Sequence, residues 1–245
     1  MGILVNAKCD GIYINIIMTG HKDYYMHDLG TTFSDFIERA SAALGISIGQ
    51  LYKRKVVQVD FAADIRMNHE DVWKSLVINR RRGNTGALLG NRIHSTRYTH
   101  RKRATDLMLA VYDVGNRHPE RYCEGDGVFT RIELRNALKP RINFDDLPLY
   151  SPPPLIQPAR WRFVRVRKPR SKNSKIQRRY ESFLKVAMEC RGYLGMAVAQ
   201  LRRRDPNHNF ARDFRQIISE NDQISRALEE AHEIHSTSWR KWCES

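Results

Sequence analysis

The sequence predicts an α+β protein, in which an antiparallel-type central sheet with packed helices is followed by a basic, mainly helical C-terminal region. Three observations lead to this prediction. Segments rich in β-branched residues alternate with segments whose apolar residues recur at helical spacing. Three consecutive prolines at 152–154 then interrupt the pattern. From 151 to 204 the chain carries fifteen Lys and Arg residues against two Glu residues.

The N-terminal half supplies strands and helices in alternation. Helix signals include Gly45 as a C-terminal stop and Asn68 as an N-cap followed by acids. The apolar run after Asp106 is typical of a central strand that is buried on both faces. We predict these elements in chain order: a strand over 11–20, a helix over 32–45, a strand over 55–65, a helix over 68–82, and strands over 106–115 and 128–138.

The prolines and the bases suggest how the chain is divided. Residues 1–150 are predicted to form a sheet-containing catalytic domain, and residues 151–173 a Pro-rich, basic linker. Residues 174–245 are predicted to be a helical C-terminal region, with helices at about 174–204 and 208–235. These two helices could read DNA, form a dimer interface or cover the sheet.

Charge points to a polyanionic partner. The 245 residues carry a formal net charge of +15 and have a pI near 9.9, which favours nucleic acid first and an anionic membrane surface second. No apolar run is long enough to span a membrane, and the N-terminus lacks the pattern of a signal peptide. The four cysteines are far apart, so neither a disulfide framework nor a zinc knuckle is expected. We therefore expect a cytoplasmic protein.

Two acids inside a predicted strand need an explanation. Asp60 and Asp64 lie in "KRKVVQVDFAADI" (53–65), and in a strand they share one face with Ala62. A divalent cation such as Mg²⁺ or Mn²⁺ would relieve the repulsion between two carboxylates. The alternative is that Asp64 ends the strand while Asp60 pairs with Lys55 or with an arginine.

"TRIELRN" (130–136) supplies a third acid. Ile132 and Leu134 share one face of this strand, which leaves Glu133 on the other face between Arg131 and Arg135. Glu133 is either an exposed carboxylate in local salt bridges or a metal ligand beside arginines that hold phosphates. The residues alone leave both interpretations open.

Lys and Arg residues are concentrated in four segments of the chain: 80–82, 97–103, 160–170 and 202–204. In "RWRFVRVRKPR" the bases alternate with aromatic and β-branched residues, which suits phosphate neutralisation together with stacking or core anchoring. The bases that we predict to contact DNA are Arg97, Arg101, Lys102, Arg103, Arg131, Arg135, Arg160, Arg162, Arg165 and Arg167.

The order of these motifs resembles a known family. "INIIMTGHKDYY" (14–25), "VVQVDFAADI" (56–65), "STRYTHRKRATDLMLAVYDVGN" (95–116) and "TRIELRN" (130–136) follow one another. This order is similar to that of the Rep_trans type of rolling-circle replication initiator of plasmids and phages, and of related relaxases of integrative elements. The resemblance covers roughly residues 11–140.

The resemblance implies a metal-dependent enzyme that nicks and closes DNA. A tyrosine hydroxyl would attack a phosphodiester in a single-stranded or extruded origin, leaving a 5′-phosphotyrosine and a free 3′-OH. By position, Asp60, Asp64 and Glu133 correspond to the ligands of Mg²⁺ or Mn²⁺, Tyr112 to the nucleophile and Tyr98 to its rival. Without this resemblance, Tyr112 would be interpreted as a core aromatic residue of a central strand, and Tyr98 as a residue that stacks on a base.

Partners follow from the same resemblance. DNA is the expected substrate, a host helicase and a second copy of the chain are further candidate partners, and no membrane partner is expected. A competing hypothesis is a non-catalytic DNA-binding regulatory protein on the same scaffold. The two hypotheses differ in whether the carboxylates are needed for function.

Overall fold

A computed structural model describes residues 2–9, 12–19, 33–78, 89–91, 96–98, 107–114, 130–157, 160–204 and 216–244. These residues form a seven-stranded antiparallel sheet, a three-stranded antiparallel sheet and six α-helices. The prediction of an α+β fold with an antiparallel sheet and a mainly helical C-terminal part is confirmed. Within this part of the chain, no helix has both the length and the apolar composition needed to cross a bilayer.

The elements are numbered in chain order. The strands are β1 Gly2–Cys9, β2 Ile12–Thr19, β3 Lys55–Ile65, β4 Leu76–Ile78, β5 Leu89–Asn91, β6 Thr96–Tyr98, β7 Leu107–Asp113, β8 Thr130–Asn143, β9 Trp161–Val166 and β10 Ile218–Glu220. The helices are α1 Phe33–Leu44, α2 Ile48–Tyr52, α3 His69–Ser75, α4 Ser174–Glu189, α5 Leu194–Arg204 and α6 Asp222–Glu244. A short 3₁₀ helix follows β8 at Leu147–Leu149.

The large sheet has the strand order β2-β1-β3-β8-β7-β6-β5. Strand β8 is therefore inserted between β3 and β7, although it follows both of them in the chain. Its register pairs Arg135 with Asp60, Arg131 with Asp64, and Glu133 with both Ala62 and Ala110. Residues that pair across antiparallel strands lie on the same face, so this register gathers the acids of β3 and β8.

The opposite face of the large sheet is apolar and carries the main core. Alternate residues such as Phe61 of β3, Leu109 of β7 and Leu134 of β8 are fully buried there. Helices α1, α2, α3 and α6 contribute to the same core, and in α6 it includes Trp239 and Trp242. Burying an aromatic side chain of this size stabilises the fold by about 2–3 kcal/mol, so α6 helps to hold the sheet.

A second core lies between the three-stranded sheet, ordered β10-β9-β4, and helices α4 and α5. Val164 of β9, Val186 of α4 and Val198 of α5 are among its buried residues. Helix α5 approaches β4 so closely that a Cβ on Gly195 would lie 2.6 Å from the carbonyl oxygen of Leu76. Glycine is therefore required at position 195 for helix α5 to pack against strand β4.

Some predicted element bounds are wrong. The predicted helix over 68–82 ends at Ser75, because Leu76–Ile78 pairs with β9 as strand β4. The helix predicted over 174–204 is broken at 190–193, where Arg191 and Gly192 adopt positive φ values of 53° and 81°. In place of one helix over 208–235, the chain forms β10 and then α6; residues 208–215 lie outside the described residues.

Contacts cross the predicted domain boundaries. Strand β9 lies within the segment 151–173 and pairs with β4 of the N-terminal segment and with β10 of the C-terminal one. Helix α6 shares the main core with β3. The division into 1–150, 151–173 and 174–245 stays a prediction about units of function.

Candidate active site on the polar face of the large sheet

One face of β3, β8 and β7 carries charged and polar side chains. It consists of alternate residues of the three central strands, because the intervening residues face the apolar core. We call it the polar face; its members are Gln58, Asp60, Ala62 and Asp64 of β3, Arg131, Glu133 and Arg135 of β8, and Met108, Ala110 and Tyr112 of β7. It brings together three carboxylates and two guanidinium groups, so acids exceed bases by one.

Asp60 is the most buried acid of the polar face, with 2% of its surface exposed. The side-chain amide of Gln58 donates hydrogen bonds to both carboxylate oxygens, at 2.7 and 2.8 Å. The nearest guanidinium nitrogen of Arg135 is 4.0 Å away. Burial, followed by the charge of Glu133, raises the pKa of Asp60 to about 8, although Arg135 and Gln58 act in the opposite direction. Asp60 is thus the acid that most needs a cation or a proton.

Asp64 is paired with an arginine. Arg131 donates from Nε to Oδ1 at 2.6 Å and from Nη2 to Oδ2 at 2.7 Å. Both side chains are less than one-tenth exposed. A two-point guanidinium–carboxylate contact of this kind is strong and fixes both groups in orientation. Asp64 is therefore neutralised by Arg131 in this structure.

Glu133 connects the tyrosine to the charged groups. The Tyr112 hydroxyl donates to Glu133 Oε2 at 2.9 Å, and Arg135 Nε donates to Glu133 Oε1. Tyr112 is 2% exposed and packs against Ala110 and Val114. The carboxylate thus accepts from a tyrosine on one oxygen and from an arginine on the other.

The three predicted metal ligands are not brought to one point. Four residues of extended strand span about 13 Å, so Asp60 and Asp64 share a face without being near neighbours. Within the described residues, no three acids, histidines or cysteines come together closely enough to bind one ion. The residues that suit a cation best are Asp60 and Glu133, because the charge of Glu133 contributes to the raised pKa of Asp60 and carboxylate oxygens are the ligands that Mg²⁺ and Mn²⁺ prefer. Asp64 does not complete the set while Arg131 binds it.

The rival tyrosine and its basic neighbours are only partly described. Tyr98 pairs with Ala110, which in turn pairs with Glu133, so the three Cα positions form one cross-strand row. Arg97 pairs with Val111 through the backbone. Arg101, Lys102 and Arg103 lie outside the described residues.

The other predicted DNA-binding bases occupy two locations. Arg131 and Arg135 make ion pairs on the polar face. Arg160, Arg165 and Arg167 are exposed on or beside β9, and Arg165 also donates to Asp222 at 2.5 Å. Arg162 of β9 is half-buried, and its Nε has no hydrogen-bond partner among the residues that the structure describes.

Sequence reasoning missed one residue of the site, Gln58. Its amide is the nearest donor to Asp60. The signal was present, because Gln58 precedes Asp60 by two positions and period-two alternation places the two on one face of β3.

Comparison with solved structures returns a rolling-circle replication initiator, the class of protein that the sequence motifs resemble. The matched protein is the rolling circle replication initiator protein from Geobacillus stearothermophilus. The two sequences are 18% identical, the match covers 68% of this chain and 64% of that one, and the TM-score is 0.32. This chain therefore covers less than two thirds of that protein's length. Similarity at this level assigns neither activity nor site residues.

No protein-family model matches the sequence, and no curated protein matches it.

Proposed function

We propose that this chain nicks and rejoins DNA, in the initiation of rolling-circle replication or in the mobilisation of a genetic element, and that the polar face is its active centre. The observation that carries the proposal is the hydrogen bond from the Tyr112 hydroxyl to Glu133 at 2.9 Å, beside the buried carboxylate of Asp60. The hydroxyl that would act as nucleophile therefore lies next to an oxygen that can accept its proton. Beside them is a buried carboxylate that a cation would stabilise.

Tyr112 is the proposed nucleophile. Its phenolic oxygen would form a bond to phosphorus as the bond from phosphorus to the 3′ oxygen breaks, so that the 5′ end becomes a phosphotyrosine and the 3′ end a free hydroxyl. A tyrosine with an ordinary pKa near 10 is a weak nucleophile at neutral pH. Glu133 accepts the hydroxyl hydrogen bond and so fixes the direction in which the phenolic oxygen points. The phenolic proton passes to Glu133, and water supplies the proton that the departing 3′ oxygen needs to become a free hydroxyl.

Asp60 and Glu133 are the proposed holders of Mg²⁺ or Mn²⁺. When bound, such an ion would polarise the phosphate and stabilise the developing negative charge. Gln58 holds both oxygens of Asp60 and therefore sets the orientation of that carboxylate. Arg135, next to Glu133, is a candidate phosphate contact, since guanidinium groups bind phosphate oxygens in pairs. Asp64 would join the ligand set only if Arg131 transferred its hydrogen bonds to DNA.

The centre must open for DNA to reach it. Tyr112 and Asp60 are each 2% exposed, so a phosphodiester can contact them only after this face of the sheet is uncovered. Tyr98, whose Cα lies two strands from Glu133, is the alternative nucleophile in that opened state.

A covalent-adduct experiment tests the proposal. The full chain would be incubated with 5′- or 3′-labelled single-stranded oligonucleotides and Mn²⁺, and then run on a denaturing gel. We expect a protein–DNA adduct that carries the label on the 3′ side of the nick and that needs the divalent ion. Absence of any adduct across a pool of oligonucleotides, with duplex and single-strand binding intact, would contradict the nicking function.

A non-catalytic DNA-binding regulatory protein is the second candidate function. It is favoured by the way in which the polar-face groups neutralise one another, since Arg131 binds Asp64 while Arg135 and Tyr112 both bind Glu133. This candidate predicts tight, metal-independent DNA binding with no covalent product. The adduct experiment therefore separates the two candidates.

A further inference from the structure

We propose that Arg162 of β9 and Arg202 of α5 form a phosphate-binding site through which helices α4 and α5 dock on double-stranded DNA. The site is built on the second core and uses none of the polar-face residues. It shares with the proposed function only the identity of the polyanion, and it does not require nicking.

The first observation concerns Arg162. Its neighbours in β9, Trp161 and Phe163, face the main core, so Arg162 projects from the other face of the three-stranded sheet, toward the second core. Its Nε is buried and makes no hydrogen bond to any described residue. A buried, unpaired guanidinium nitrogen is costly to the fold. An anion bound next to this guanidinium would offset the cost of holding its positive charge there.

The second observation is a like-charged neighbour. Arg202 lies in the last turn of α5, one turn after Val198, which is buried in the second core. Residues four apart share a face of a helix, so Arg202 lies on the side of α5 toward which Arg162 projects. Desolvation, followed by the positive charge of Arg162, lowers the pKa of Arg202. Within the described residues, no carboxylate forms a salt bridge with either guanidinium, whereas Arg204 close by pairs with Glu189 at 3.3 Å. Two guanidiniums that face the same region, with no acid paired to either in the described part of the chain, favour an anion, and a phosphate group can accept from two guanidiniums at once.

The surrounding elements favour DNA as the source of the phosphate. Helices α4 and α5 pack against each other and are joined by a four-residue turn, 190–193, that contains Gly192 in a left-handed conformation. A short glycine-containing turn between two packed helices is a feature that helix-turn-helix DNA-binding units also have. The exposed residues of these helices include further bases, namely Lys175, Arg178, Lys185 and Arg203.

Duplex DNA fits this surface better than a single strand. Proteins bind single strands largely by stacking bases on exposed aromatic side chains. Along α4 and α5, Phe183 is buried and Tyr180 is partly buried against the second core. A pair of arginines fixed on rigid elements suits the regular phosphate spacing of a duplex.

Fluorescence anisotropy tests the proposal. A labelled 20-base-pair duplex would be titrated with the full chain in the presence of a metal chelator, over a series of salt concentrations. We expect Arg202→Gln and Arg162→Met each to weaken duplex binding by about tenfold and to reduce the salt slope by about one. The matched control is Arg226→Gln, which removes one exposed charge from α6 and should change duplex affinity less than about twofold.

A melting experiment on the same variants separates a binding role from a structural role. Because the Nε of Arg162 is buried without a partner among the described residues, Arg162→Met should raise the melting temperature while it lowers duplex affinity. A fall in both the melting temperature and the duplex affinity would show that Arg162 stabilises the fold, and it would overturn the proposal. Unchanged duplex affinity in both variants, or an equal loss of single-strand affinity, would also overturn it. The chelator prevents metal-dependent nicking, so the duplex affinity is measured without it. The result therefore does not depend on whether the chain nicks DNA.

Discussion

The Tyr112 hydroxyl donates a hydrogen bond to Glu133 Oε2 at 2.9 Å, between neighbouring strands β7 and β8. The contact depends on register, because Tyr112 pairs with Arg131 and lies diagonally across from Glu133. Both side chains are buried, so solvent does not compete for the bond. A single contact thus joins the predicted nucleophile to a predicted ligand.

Tyr112→Phe should abolish the covalent protein–DNA adduct, because it removes the attacking oxygen and keeps the ring. The stability loss should be about 1 kcal/mol, the usual value of one buried hydrogen bond. The adduct is scored on a denaturing gel and stability by denaturant unfolding. Tyr98→Phe is the matched control and should keep the adduct; loss of the adduct in Tyr98→Phe with retention in Tyr112→Phe would assign the nucleophile to Tyr98.

Asp60→Asn should abolish cleavage that depends on Mn²⁺ or Mg²⁺ and leave DNA binding largely intact. The substitution keeps the size and hydrogen-bonding capacity of the side chain while it removes the negative charge that would hold the ion. The measurement compares cleavage and anisotropy on one oligonucleotide. Asp145→Asn, at an exposed acid beyond β8, is the matched control and should cleave like the wild type. Equal cleavage by Asp60→Asn and the wild type would remove Asp60 from the active centre.

The metal-free protein should lose stability as pH rises from about 4 to about 8. The folded-state pKa of Asp60 is raised from 3.8 to about 8, so the folded state keeps a proton that the unfolded state has released. The free energy of unfolding should then fall by about 1.4 kcal/mol per pH unit from this group within that window. Denaturant unfolding in a chelator at several pH values measures it. Asp60→Asn should make the free energy of unfolding less dependent on pH. An identical slope in that variant would show that other groups cause the pH dependence.

The buried Arg131–Asp64 pair should contribute to stability. Asp64→Asn or Arg131→Met leaves one buried charge without its partner, and we expect each to lower the free energy of unfolding by about 3–5 kcal/mol. The double variant Asp64→Asn, Arg131→Met should lose much less than the sum of the two single losses, because no unpaired charge remains. If Asp64→Asn instead kept wild-type stability and abolished metal-dependent cleavage, Asp64 would be a ligand, as the sequence predicts.

Local alternation was sufficient to predict which residues share a face. In 55–65 the period-two pattern placed Asp60 and Asp64 together, and in 130–136 it placed Glu133 between two arginines; the structure has both arrangements. Residues that share a face of a sheet, however, need not lie close together. The choice of Arg131 as the partner of Asp64 depends on the register of β8, which the sequence of either strand alone does not determine.

Long-range packing was the part that the sequence could not predict. Strand β9 was interpreted as part of a basic linker, although Trp161 and Phe163 alternate with bases in the manner of a half-buried strand. Its partners β4 and β10 lie far from it in the chain. The amphipathic pattern of α6 could not reveal that its tryptophans complete the core beneath Phe61.

Identification of the modified residue tests the central claim most directly. The adduct formed with a single-stranded oligonucleotide and Mn²⁺ would be digested with protease and nuclease, and the nucleotide-bearing peptide mapped by mass spectrometry. We predict a phosphotyrosine-linked nucleotide on Tyr112, adjacent to Glu133 on the polar face. A nucleotide linked to a residue of α4, α5 or α6, or no linked peptide from a preparation that binds the oligonucleotide, would contradict the assignment of the polar face as a nicking centre.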